Sequence, residues 1–283
     1  MIVTSNARLT ISVKAKQNPL TGAIDLTSIV FPICYRDTIT IDMFDYRFMD
    51  IVHYANQSTH ISEKKIVDTA LLKMREKYSY ENTFAVRIYK NIPTGHGLGS
   101  GASSAMAVIK AVARLTKLKL SDQDYLDIAR SIGQDVPFFA VNKPALFENN
   151  TQKVLPFNFM PKTGVLLLIH PTIVEKKEMI EKFSDFGETS QKDIKNIIHA
   201  AENGSLRDVG AALVNDFEQI MLKEIPDLRN VLNDLKTLNA EAYGIAGASS
   251  TIFVLSNNQN LLKYIGEKYK KLSYSVVLTE ICK

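Results

Sequence analysis

Ile92-Pro93-Thr94-Gly95-His96-Gly97-Leu98-Gly99-Ser100-Gly101-Ala102-Ser103-Ser104 lies between a run that alternates like a strand, FAVRIYK at 84 to 90, and one patterned like a helix, ASSAMAVIKAVARLTKL from Ala102. Four glycines fall at 95, 97, 99 and 101. They let the backbone turn sharply and expose its N–H groups, and the helix start that follows adds unsatisfied amides and a partial positive charge. This context predicts a cradle for anionic phosphate formed by Pro93, Thr94, Gly95, His96, Gly97, Leu98, Gly99, Ser100, Gly101, Ala102, Ser103 and Ser104. The hydroxyls of Ser100, Ser103 and Ser104 suit phosphate oxygens, and Ser103 or Ser104 suits a magnesium ion carried by the polyphosphate. The plainer alternative is a glycine turn that only caps the helix. No Gly-Lys-Ser/Thr follows, so the loop is not a Walker A motif, and it lacks the Rossmann spacing with a later acidic residue. His96 reads as a solvent-facing loop residue, with a phosphate contact as the alternative.

Working outward, residues 2 to 13 (IVTSNARLTISV) and two runs further on, IDLTSIVFPI from 24 and DTITIDMF from 37, are rich in β-branched residues and read as strands. Residues 61 to 79 place Ile66, Ala70, Leu71 and Met74 at helical spacing. Beyond the loop, apolar residues at 106, 109, 112 and 115 mark one helix, and SDQDYLDIARSIG marks another, capped by Ser121 and stopped at Gly133. GVLLLIHP at 164 to 171 reads as a buried strand. Helical patterns follow at 173–184, 190–203, 205–222 and 226–237. The end of the chain offers strand-like AYGIAG, STIFVLS and YSVVLTE around an amphipathic stretch at 261 to 272. The pattern is α+β, without internal repeats, and a boundary is placed at 160/161 (domains 1–160 and 161–283).

The 283 residues suffice for one large domain or two closely packed ones. With 46% hydrophobic and 23% charged residues the composition is that of a globular protein, and no stretch approaches the ~20 apolar residues of a membrane span. A net charge of +4, with lysines spread along helices, points away from nucleic acid. The first residues lack a basic and then apolar leader, so a cytoplasmic location is expected. Cys34 and Cys282 lie far apart without a C-x-x-C partner and are expected to be free thiols.

The loop, P-x-G-x-G-L-G-x-G followed by small residues and a helix, resembles the second conserved motif of the GHMP kinases. Gly133-Gln134-Asp135-Val136-Pro137-Phe138-Phe139 is similar to the G-A-D-V-P-F-F signature of the 4-diphosphocytidyl-2-C-methyl-D-erythritol kinase family. Asn215-Asp216-Phe217-Glu218 and Gly247-Ala248-Ser249-Ser250-Thr251-Ile252-Phe253 look like two further motifs of that family. Asn6-Ala7-Arg8-Leu9-Thr10-Ile11 matches its first motif, P-A-K-(I/L)-N-L, with Arg8 at the position of the lysine. The resemblance implies a two-lobed GHMP fold: an N-terminal nucleotide-binding lobe of ribosomal S5 domain 2 type and a C-terminal α/β sandwich lobe, with the acceptor enclosed between them. It also implies ATP and magnesium as cofactors and a small-molecule alcohol as partner. On this reading Asp135 is the base that takes the hydroxyl proton and Arg8 a stabilising charge, while Thr10, Asp25, Gly247 and Ser249 contact the acceptor. As chemistry this is coherent, because phosphoryl transfer to an alcohol needs a polyphosphate cradle, a metal and a group to accept or steer a proton. Plainer alternatives are a cap or turn role for Asp135 and a solvated strand position for Arg8.

The chain also departs from the pattern. Arginine keeps the charge of the family lysine but cannot shuttle its proton. The family's G-Y-H-(E/D)-L segment is Gly22-Ala23-Ile24-Asp25-Leu26 here, without the ring and imidazole that grip cytidine. Ser249 replaces a glycine of the third motif. In the second motif Ala102 replaces a serine and Ser104 an Asp or Asn. A kinase for another small alcohol and a catalytically weak nucleotide-binding paralogue therefore stand beside the leading expectation.

Overall fold

The computed structural model describes residues 1–45, 49–56, 61–159 and 163–282, apart from the side chains of residues 61–64 and 186. The chain forms two compact units. The first comprises residues 1–8, 35–94 and 98–142, and the second residues 9–34, 95–97 and 143–283. The chain thus passes between units five times, where the sequence reading set one boundary at 160/161. The reason lies in two long strands, β1 (Ile2–Gln17) and β2 (Ile24–Phe44), each of which contributes residues to both units. The two runs read separately within 24 to 44 are one continuous strand of 21 residues, because Cys34, Tyr35 and Arg36 between them keep extended backbone.

In the first unit, β2 pairs antiparallel with β4 (Thr83–Tyr89) from Thr38↔Tyr89 to Phe44↔Thr83, and β3 (Ile51–Tyr54) runs parallel to β4. Helix α1 (Ile61–Tyr78) buries Val67, Ala70, Leu71 and Met74, the i, i+3, i+4, i+7 face expected of an amphipathic helix. Against it lies α2 (Ser100–Leu115), whose first turns are buried almost all round; the small side chains of Gly101, Ala102, Ser103, Ser104 and Ala105 permit that. Helix α3 (Asp122–Ile132) begins with a capping box in which the Ser121 hydroxyl accepts from the Asp124 N–H and the Asp124 carboxylate accepts from the Ser121 N–H. The short α4 (Val136–Val141) follows at once and buries Val136, Phe138 and Phe139.

In the second unit, Thr27–Val30 of β2 pair antiparallel with β5 (Ala145–Glu148), which pairs with β6 (Lys153–Pro156). A separate antiparallel sheet has the order β10-β7-β9-β8, from β7 (Gly164–Ile169), β8 (Ala242–Ile245), β9 (Thr251–Ser256) and β10 (Ser275–Glu280). Its two central strands, β7 and β9, are wholly buried, which explains their unbroken apolar sequence. The helices of this unit are α5 (Lys176–Phe186), α6 (Asn196–Glu202), α7 (Leu206–Ala212), α8 (Glu218–Glu224), α9 (Asp227–Thr237) and α10 (Gln259–Lys270). Leu166, Leu168, Phe217, Met221, Val254, Leu262 and Ile265 belong to their common core.

Two expectations are corrected here. The helix read over 205–222 breaks at 213–217, where the backbone pairs with β1 instead: the Val13 N–H donates to Val214 O at 2.9 Å and the Asp216 N–H to Val13 O at 3.1 Å. Asp216 then spends its carboxylate on the N–H groups of Ala15 and Ser190, at 2.8 and 3.0 Å. Cys34 and Cys282 are joined as a disulfide and are not free thiols. An antiparallel bridge between Ile33 and Ile281, with the Cys282 N–H donating to Pro32 O at 2.9 Å, brings the two Cα atoms to 5.2 Å, well inside disulfide range.

Candidate active site

In the first unit the sequence-predicted pair is formed. Arg8 Nη1 donates to Asp135 Oδ1 at 3.0 Å, with the arginine side chain 9% exposed and the carboxylate 30% exposed. The Arg8 backbone N–H donates to Leu98 O at 2.8 Å, which clips the second half of the glycine loop to β1. Asp135 does occupy the N-cap position of α4, as the plainer reading held, yet its side chain makes no capping bond. The carboxylate faces Arg8 instead.

Gly99 explains how loop and pair are packed. Its φ of 71° is left-handed, and a Cβ there would lie 2.8 Å from Phe139 Cζ and 3.4 Å from Arg8 Cβ. The helix that follows starts without an acidic residue in its first turn. Its ladder begins with the Ser103 N–H donating to Gly99 O at 3.0 Å, so the amides of Ser100, Gly101 and Ala102 precede the first intrahelical bond. This uncompensated positive end suits an anion.

The serines divide their work. Ser103 Oγ donates to Asn6 O at 2.6 Å and Ser100 Oγ to Asp37 Oδ2 at 3.2 Å, so both hydroxyl protons serve the protein. Ser104 Oγ is buried with no hydrogen-bond partner among the described residues. Of the two serines read as metal ligands, Ser104 therefore has the uncommitted hydroxyl. Among the described residues no group of three or more His, Cys, Asp or Glu could hold a metal ion.

Sequence reading missed Asp37 and Lys90, which are ion-paired at 2.5 Å with both side chains fully buried. Asp37 lies within β2 and Lys90 directly follows β4, each in a run that also carries other charged residues, so neither stood out in the sequence. Asp37 Oδ1 also accepts the N–H groups of Asn91 and Ile92, at 2.7 and 2.8 Å, just before the glycine loop.

The second unit holds Gly95–Gly97 and the third motif. Gly97, at φ 75°, is so close to Ser249 that a Cβ would sit 2.7 Å from the serine Cβ. Thr251 Oγ1 donates to His96 O at 3.1 Å. Gly247, at φ 56°, leaves only 3.3 Å between a Cβ and Thr10 Cβ, and its carbonyl accepts from Asn215 Nδ2 at 2.9 Å. Thr10, Gly247 and Ser249 thus share one neighbourhood, and Asn215, the first residue of the Asn215–Glu218 motif, supports it. His96 does not face solvent: it is 8% exposed, and burial first, then the nearby His170, hold its imidazole below the usual pKa.

Asp25 lies apart from these residues. Asn18 Nδ2 donates to its carboxylate at 3.1 Å in the turn between β1 and β2, and Thr10 lies seven residues back along β1 from its end at Gln17, on the order of 23 Å at strand spacing. The same hairpin tip carries Ala23, exposed, and Ile24, half-buried.

A family model described as the GHMP kinases N terminal domain matches residues 65–143. A 4-diphosphocytidyl-2-C-methyl-D-erythritol kinase of Desulfotalea psychrophila is 30% identical over 216 residues, 75% of this chain and 71% of the relative. The enzyme of that name from Caldicellulosiruptor bescii is 26% identical over 252 residues, covering 86% and 87%. A crystal structure titled 4-(cytidine 5'-diphospho)-2C-methyl-D-erythritol kinase superposes with a TM-score of 0.80 over 100% of both chains at 17% identity, a likeness of fold. The chain belongs to the GHMP kinases, in the family of the 4-diphosphocytidyl-2-C-methyl-D-erythritol kinases.

Proposed function

We propose that this chain transfers the γ-phosphoryl group of ATP to the 2-hydroxyl of 4-diphosphocytidyl-2-C-methyl-D-erythritol, a step of non-mevalonate isoprenoid precursor synthesis. The observation that carries the reading is the Arg8–Asp135 pair, packed beside a glycine loop and the open amide end of α2 in a chain of this family. In the proposed reaction the acceptor oxygen attacks the γ-phosphorus, the bond to the β-phosphate oxygen breaks to leave ADP, and the hydroxyl proton passes to Asp135. Arg8 holds the carboxylate in place and keeps a fixed positive charge beside it. The loop 93–104 and the first amides of α2 orient the polyphosphate, with Ser104 the serine whose hydroxyl is free to meet it or its metal. Magnesium on the polyphosphate would neutralise charge on the transferring group. Thr10, Gly247 and Ser249 are proposed to contact the acceptor; Asp25 is proposed to do so only from the hairpin tip.

A second reading changes the acceptor. It is favoured by the hairpin tip, where Ala23 and Ile24 offer neither a stacking ring nor an imidazole to a cytosine. A cytoplasmic setting is proposed in either case; among the described residues no helix is long and apolar enough to cross a membrane. The test is ATP consumption by the purified chain with magnesium, offering 4-diphosphocytidyl-2-C-methyl-D-erythritol, mevalonate and homoserine in parallel. Turnover of the cytidyl substrate is expected. Turnover of another alcohol alone would establish the second reading, and no turnover despite ATP binding would leave a nucleotide-binding paralogue.

A further inference from the structure

We propose that Asp37 is a positioning residue for nucleotide binding, a buried clasp that closes the base of the glycine loop. The inference rests on the kinase reading above. Asp37 is 0% exposed, and its one carboxylate takes four donors. Two are the backbone N–H groups of Asn91 and Ile92, at the point where the chain enters the loop. The third is Ser100 Oγ, on the first residue of α2, where the chain leaves it. The fourth is Lys90 Nζ, a counter-charge that is itself fully buried beside the carboxylate.

Entry and exit of the loop are therefore joined through a single side chain, with Pro93 to Gly99 strung between them. The intervening backbone includes left-handed glycines at 95, 97 and 99 and has high conformational entropy when its ends are free. Tying both ends lowers the entropy that nucleotide binding must remove, and it fixes where the first amides of α2 point. A buried ion pair is in general a weak source of net stability, since apolar replacements of similar volume often match it. Cinching the loop gives this pair a use that stability alone does not.

The test uses the whole chain and ATP alone, without acceptor. Removing Asp37 by itself would take the carboxylate away from the buried Lys90 ammonium, so the variant is Asp37→Asn with Lys90→Met, which removes both charges together. It is expected to melt cooperatively and to bind ATP about tenfold more weakly by calorimetric titration, with KM for ATP raised more than kcat is lowered. Ser100→Ala in the parent chain keeps the ion pair, and hydrogen exchange at 93–99 in the nucleotide-free protein should quicken severalfold. That readout stands even where the double variant does not fold. Parental ATP affinity in the folded double variant, or unchanged exchange in Ser100→Ala, would overturn the inference. Failure of the parent chain itself to bind ATP would remove the kinase reading, and the inference with it.

Discussion

Arg8 reaches across 127 positions of sequence to place Nη1 3.0 Å from Asp135 Oδ1, and the same residue's backbone N–H holds the glycine loop at Leu98. One residue of β1 thus meets both the carboxylate and the loop. Asp135→Asn keeps the shape of the pair and removes the proton acceptor. Phosphoryl transfer should fall by about 10²- to 10⁴-fold, the range general-base catalysis supplies, with ATP affinity within twofold of the parent. Steady-state kinetics beside a nucleotide titration checks both halves, and an unaffected kcat would remove Asp135 from the chemistry.

Arg8 can be tested by charge and by shape. Arg8→Lys keeps the positive charge and should retain activity within about tenfold, whereas Arg8→Met leaves the partly buried Asp135 without this partner and should fall towards the level of Asp135→Asn. Rates for the two variants at one saturating ATP concentration separate an electrostatic role from a packing role. Equal losses in both would show that the arginine's forked geometry is what matters.

These residues show what a single sequence makes legible. The loop was readable from its own residues, glycines before a helix, whereas Arg8 and Asp135 were picked out by the resemblance of the short segments around them to family motifs. Asp37, Lys90 and the Cys34–Cys282 disulfide were not, because each depends on partners brought together by pairing between distant strands. The break in the helix pattern at 213–217 has the same origin, since β1 captures that backbone. Periodicity also concealed α4, whose six residues are too few to show a helical repeat.

Gly99→Ala tests the seat of the loop. A side chain at φ 71° costs about 1 to 2 kcal/mol on its own, and the new Cβ must push Phe139 or Arg8 aside. A stability loss of about 2 to 3 kcal/mol in urea denaturation is expected, with activity lowered beyond what the unfolded fraction explains. Adding Phe139→Leu should relieve the steric part and leave the backbone part. No rescue would mean that the ring is not what Gly99 avoids.

His96 makes stability depend on pH. Its folded pKa is below the ordinary 6.5, from burial first and then from His170. Between the folded value and about 6.5 the unfolded chain binds more protons, so stability must fall as pH drops below about 6.5. His170, lowered chiefly by burial, contributes a slope of the same sign. The melting temperature should therefore decline on acidification, and His96→Gln should flatten part of that decline. Identical slopes in parent and variant would assign the effect elsewhere.

The disulfide offers a measurement outside the site. Cys34 and Cys282 are 248 positions apart, so the bond closes nearly the whole chain into a loop and ties the segment after β10 to β2. Chain-entropy reasoning and native-disulfide removals put the benefit at about 2 to 5 kcal/mol. In oxidising buffer the denatured protein should take up no alkylating label, and reduction should lower the denaturant midpoint and steepen the slope, because the denatured chain without the cross-link exposes more surface. Cys34→Ser with Cys282→Ser should behave like the reduced parent whether or not reductant is present. Because cytosolic thiols are ordinarily kept reduced, labelling in intact cells then reports whether the chain meets oxidising conditions. Two labelled cysteines together with an unchanged midpoint on reduction would show that the fold does not depend on this link.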